Sequence, residues 1–113
     1  MKPLLEIATG DCYEANGRAI TDKVYANKEG GWKLCHGLAT LATDGKPYGH
    51  CWLEYKDEVH DYSNGNHITL PKIVYYALGK IDKRSVLRYN GEEVVEKILK
   101  HQHWGPWDYD PPR

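Results

Sequence analysis

Cys12, His50 and Asp61 are of the residue types that together perform nucleophilic catalysis. A free thiol is only a few per cent ionised near neutrality, so a reactive cysteine needs a base or a positive potential beside it. Asp11 reads as a helix N-cap, with Glu14 three positions later completing a capping-box pattern. This predicts irregular chain over residues 1–10 and a helix from Cys12 to about Val24. A sulfur at the first helical position would meet unpaired backbone N–H groups and the positive end of the macrodipole. Further along, residues 48–55 (Tyr-Gly-His-Cys-Trp-Leu-Glu-Tyr) and 58–62 (Glu-Val-His-Asp-Tyr) read as strands. Strand periodicity puts His50, Trp52 and Glu54 on one face and Cys51, Leu53 and Tyr55 on the other. If Tyr55 pairs with Glu58 around a two-residue turn, Trp52 opposes Asp61 and His50 lies diagonally beside it on the same face. Asp61 would then orient the imidazole and stabilise the imidazolium formed when His50 takes the thiol proton. A turn of odd length would separate the two side chains. The plainer alternative is a surface histidine beside a solvated aspartate.

The elements that must position these groups predict an α+β domain spanning residues 1–113. A strand over Trp32–Leu41 precedes a hairpin turn at Asp44-Gly45. It forms an antiparallel three-stranded meander with the two strands above, which Asn64-Gly65 closes. A second helix runs from Pro71 to about Leu78 and stops at Gly79, and Ser85–Tyr89 adds another strand. Asn90, with Glu93 at the box position, caps a third helix to about Lys100. The aromatic tail over residues 101–108 is expected to fold back onto the domain, with Trp104 and Trp107 covering the sheet. Asn16 and Gly17 make the first helix a mediocre one, since a helical Gly costs about 1 kcal/mol relative to Ala. Glu54, Tyr55, Lys46, Lys56 and the Glu92-Glu93 pair read as surface or capping residues.

Composition excludes several classes. Fifteen Lys and Arg against sixteen Asp and Glu give a net charge of −1, without the basic excess of a nucleic-acid binder. No run of about 18 apolar residues marks a membrane-spanning helix. The apolar stretch near Met1 is too short for a secretory signal. Three cysteines cannot all pair within one chain, so reduced thiols in a cytoplasm are expected. Nine Tyr, four Trp and no Phe mean that every aromatic carries a polar tip, which wants a partner wherever it is buried.

The order Cys12, His50-Cys51-Trp52-Leu53-Glu54, Val59-His60-Asp61-Tyr62-Ser63 resembles the transglutaminase-like branch of the papain-like thiol enzymes. The segments Tyr48–Trp52, Asp61–Gly65, Pro71–Gly79 and Gly105–Trp107 are also similar to a series found in small uncharacterised proteins of phages and bacteria. The first resemblance covers residues 9–65; the second reaches the tail. The first implies a papain-like core acting as a thiol hydrolase or acyltransferase on an amide or peptide bond of a peptide or protein, through a thioester; the second brings no known reaction. The compartment it implies is the cytoplasm of a bacterium or of a phage-infected host. Carried over, Cys12 is the nucleophile, His50 the base and acid, and Asp61 the orienting carboxylate, with Trp52 and Asn64 as substrate contacts. No cofactor, metal, nucleic acid or membrane is implied. The chain departs from the pattern in having no Gln before Cys12, since its only Gln is Gln102. The oxyanion would rely on the Cys12 N–H and a second donor, and losing one such donor costs about 10²–10³ in rate.

Two other readings compete. Cys35-His36 and His50-Cys51, on paired strands, are zinc-ligand types, but adjacent strand residues point to opposite faces and no C-x-x-C is present. The other is an inactive copy of the fold that serves as a protein-interaction module, with Trp104, Trp107 and Tyr109 as an aromatic contact surface. His101 and His103 add a spare base or ligand, although histidines after a helix often satisfy its last carbonyls.

Overall fold

The computed structural model describes residues 4–40 and 44–111, with side chains from Cys12 onward. Helix α1 (Leu4–Thr21) continues into a π-helical turn over Asp22–Ala26. Five strands follow, β1 (Lys33–Thr40), β2 (Pro47–Tyr55), β3 (Glu58–Asp61), β4 (Ile68–Pro71) and β5 (Leu87–Tyr89). They form one antiparallel sheet in the order β4-β3-β2-β1-β5. Helices α2 (Lys72–Leu78) and α3 (Gly91–His101) complete an α+β architecture.

Period-two alternation splits the sheet's side chains between two apolar layers. Leu34, Cys51, Leu53 and Tyr89 pack with Cys12, Tyr13 and Ile20 of α1 and Val94 of α3. Cys35, Trp52 and Val59 face the other way, toward Tyr76 of α2 and Ile81. The sheet is therefore covered on both faces, which is why its central strands are buried almost along their whole length.

Three features differ from the expectations. Helix α1 starts at Leu4, so Cys12 is an interior helical residue and Asp11 is not its N-cap. The run Leu-Leu-Glu-Ile-Ala is made of strong helix formers, and Gly10 alone does not outweigh it. Glu14 pairs instead with Arg18, 2.9 Å away. The meander has a further edge strand, β4, paired to β3 through Asp61↔Ile68 and Glu58↔Pro71. Its four residues end in a proline, which an edge position tolerates. Glu54 is not a surface residue; it is 4% exposed and accepts hydrogen bonds from Trp52 and Tyr76.

The poor helix formers of α1 have tertiary reasons. A Cβ on Gly17 would lie 2.7 Å from the Trp104 ring, so the missing side chain is what lets the tail dock there. Trp104 and Trp107 pack against the α1 layer, as the aromatic tail predicted. The capping box at α3 also forms, with Asn90 and Glu93 each bonding the other's backbone N–H at 2.9 Å. No helix among the described residues is long and apolar enough to cross a membrane.

Candidate active site

His50 and Asp61 are brought together by strand register. Lys56, with φ 55°, turns the chain so that Tyr55 pairs with Glu58 and Leu53 with His60. Continuing that register by one residue sets Trp52 opposite Asp61 and His50 diagonally beside it. His50 Nε2 lies 3.1 Å from Asp61 Oδ2, and both side chains are buried.

Asp61 is held by a ring of donors. The Tyr75 hydroxyl donates to Oδ2 at 2.8 Å and sits 2.8 Å from His50 Nε2. Oδ1 accepts from the Ser63 backbone N–H at 2.9 Å, from the Ser63 hydroxyl, and from Asn16 Nδ2 at 3.2 Å. The same Asn16 amide donates to the carbonyls of Cys12 and Cys51 at 2.9 and 3.1 Å, and its Oδ1 accepts from the Tyr62 N–H at 3.0 Å. One fully buried side chain thus ties α1, β2 and the end of β3 together.

The electrostatics follow from this packing. Burial opposes ionisation of Asp61, but hydrogen bonds from His50 and Ser63 and the His50 charge outweigh it, holding the carboxyl well below its usual range. Burial would likewise lower His50. The hydrogen bond to Asp61 and its negative charge, with the neighbouring Cys12 thiol, push it up to about 9. Buried Cys35 and Cys51 are raised, first by desolvation.

Cys12 is a neighbour of this pair, but not in the predicted setting. With Nε2 engaged by Asp61 and Tyr75, Nδ1 is the ring nitrogen left for the thiol. It makes no bond of regular geometry, so sulfur and ring are adjacent without a closed contact. Being inside α1, Cys12 has its N–H directed at the carbonyl four residues back, which removes that N–H as an oxyanion donor and takes the sulfur away from the helix end.

Cys12 is also fully buried. His50 lines a cleft of about 270 Å³ with Tyr48, Ile68, Leu70, Tyr75 and Leu78. The C-terminal tail closes over the α1 side. The Tyr109 hydroxyl lies 3.0 Å from that of Tyr13 and donates to the Gly37 carbonyl at 3.2 Å, and Pro111 fills the space a Cβ on Gly49 would need.

Trp52 is fully buried and donates its indole N–H to Glu54 at 3.0 Å, so it packs beneath His50. Asn64 is exposed, with φ 60°, in the turn after β3. Tyr48, Ser63 and Tyr75 lie inside the segments that carry the resemblances but hold no assigned role in them, and Asn16 belongs to no motif. Only the position of Asn16, one turn after Cys12 on the same helical face, hinted at its place. His36 is opposite Cys51, and Gly37 opposite His50, so Cys35 and His50 lie on one face and His36 and Cys51 on the other. Among the described residues no three His, Cys, Asp or Glu side chains converge as metal ligands. His36 instead sits in an aromatic box, with the rings of Tyr13, Tyr89 and Trp107 at 4.9, 5.2 and 4.9 Å. No protein-family model, curated protein or solved structure matches this chain significantly.

Proposed function

We propose that this protein is a thiol-dependent acyl-transfer enzyme of papain-like, transglutaminase-like type, cleaving an amide or peptide bond. The observation that carries the reading is His50, bonded through Nε2 to buried Asp61, with Nδ1 left open toward the neighbouring Cys12 thiol. In molecules whose imidazole is neutral, a minority below its pKa of about 9, the thiol proton moves to His50 Nδ1 as the sulfur attacks the carbonyl carbon. The tetrahedral intermediate collapses, breaking the C–N bond as the imidazolium returns the proton to the leaving amine. Water or a second amine then attacks the thioester with the same imidazole as base, and the thiol is released. Tyr75 has its hydroxyl proton committed to Asp61, so Tyr48, beside His50 in the cleft, is the hydroxyl offered to the oxyanion in place of the helical N–H. Substrate would enter from the His50 cleft, with the tail segment around Tyr109 parting to expose the sulfur.

Incubation with p-nitrophenyl acetate followed by intact-mass measurement tests the reaction class. The expected result is a single acetyl adduct on Cys12, lost in Cys12→Ala and formed about 10²-fold more slowly in Asp61→Asn. Absence of an adduct, or one equally abundant in Cys12→Ala, overturns it. The second reading, an inactive interaction module, is favoured by the complete burial of Cys12; it predicts no adduct in either the native protein or a Tyr109→Ala variant.

A further inference from the structure

On the α2 face of the sheet lies a larger groove, of about 540 Å³, which uses neither Cys12 nor His50. That volume is within the roughly 300–1,000 Å³ typical of small-ligand sites. Its walls divide by chemistry: Ile73, Ala77 and Ile81 are apolar, while Lys72, Lys83 and Arg88 are cationic. The carboxylate beneath it, Glu54, is already occupied. It accepts from Trp52 Nε1 and Arg88 Nε, each at 3.0 Å, and from the Tyr76 hydroxyl, with Lys72 Nζ at 3.7 Å. One buried negative charge against three cations leaves the groove positive.

The whole segment shows the same bias. Five of the fifteen Lys and Arg lie between residues 72 and 88 with one Asp, Asp82, which is bonded to Arg84. The rest of the chain has ten Lys and Arg against fifteen Asp and Glu. Charge is therefore segregated in a chain that is nearly neutral overall. The apolar wall is also bare, because Ile73 is 79% exposed on a helix whose only buried residue is Tyr76. Solvent gains nothing from a bare isoleucine beside three cations, whereas a hydrocarbon with an anionic head satisfies both walls.

We propose that this groove binds an amphiphilic anion, its carboxylate or phosphate head on Lys72, Lys83 and Arg88 and its apolar body along Ile73, Ala77 and Ile81. The head could belong to a free acyl chain or to a lipid in a bilayer, and the two sources are separable. Titration calorimetry of the full chain with monomeric laurate or dodecyl phosphate is compared with uncharged decyl maltoside, and sedimentation with phosphatidylglycerol vesicles supplies the bilayer arm. The expected result is about micromolar binding of the anions and at least about tenfold weaker binding of the maltoside. Lys83→Glu and Ile73→Ser, both at exposed positions, should each weaken anion binding about tenfold with the thermal midpoint unchanged. Binding to vesicles alone, abolished by Lys83→Glu, assigns the head to a bilayer. Equal affinity for charged and uncharged amphiphiles, no binding in either arm, or binding indifferent to Lys83→Glu overturns the proposal. None of these results depends on the acylation of Cys12.

Discussion

Asn16 Nδ2 lies 3.2 Å from Asp61 Oδ1, the one direct side-chain bond among the described residues between helix α1 and the carboxylate that holds His50. It is also bonded to the carbonyl of Cys12, so the spacing between thiol and imidazole is governed by an amide that performs no chemistry itself.

Replacing Asn16 with Ala should therefore cost both stability and site geometry. The change leaves the Tyr62 N–H without its acceptor and Asp61 Oδ1 without one of its donors, inside a buried volume. Unsatisfied buried groups cost about 1–3 kcal/mol each, so urea unfolding should show a loss of about 2–4 kcal/mol. NMR titration should also find the His50 pKa moved from about 9. A variant as stable as the native chain with an unmoved His50 would mean that Asn16 is incidental.

Two buried histidines give stability a maximum in pH. His36 is lowered to about 3 because burial penalises its imidazolium, with only the Asp108 charge opposing. Between its ordinary 6.5 and 3, the unfolded chain holds a proton that the folded chain refuses, so stability falls as pH drops through that window. His50 acts in reverse. Its pKa is raised from 6.5 to about 9, so its contribution is complete below 6.5 and is lost as pH rises through 9. Each limb should amount to a few kcal/mol, with Asp61 adding to the acid limb below 3.8 as its hydrogen-bonded carboxylate is protonated. Urea unfolding across pH should peak near 6.5. His36→Leu, which removes an imidazole with no hydrogen-bond partner at either nitrogen, should flatten the acid limb, and His50→Gln the alkaline one. A profile with its maximum displaced to about pH 9 would contradict these assignments.

The tail should control access to the sulfur. Tyr109 bonds Tyr13 and Gly37, and Pro111 rests on Gly49, next to His50. Tyr109→Ala should raise the iodoacetamide reactivity of Cys12 about tenfold or more, with Cys35, on the opposite layer, unchanged. A parallel rise at both cysteines would indicate general loosening rather than an opening over Cys12.

The parts of this site legible in the sequence are those governed by short-range rules. A two-residue turn and a period of two place His50 beside Asp61 without knowledge of the rest of the fold, and Asn90 with Glu93 announces α3 as a local capping exchange. The setting of Cys12 was not legible, because a Gly and a capping-box pattern competed with the helix-forming run from Leu4, and propensity over several residues outweighed both. Asn16, Gly17 and Glu54 read wrongly or blandly for a common reason. Each owes its place to contacts distant in sequence: Asn16 to Asp61, Gly17 to Trp104, and Glu54 to Arg88 and Tyr76. Strand β4 is a short edge ending in Pro71, with too few residues to show an alternation.

The most direct measurement is the alkylation rate of each cysteine by iodoacetamide at neutral pH, read by peptide mass spectrometry in the native chain and in His50→Gln. All three thiols are equally buried at 0% exposure, so burial alone ranks none above another. Activation by His50 predicts that Cys12 reacts faster than Cys35 and Cys51, and that His50→Gln slows it alone by about tenfold or more. A Cys12 that reacts no faster than its fellows, or whose rate ignores His50, would show that thiol and imidazole are neighbours without chemistry.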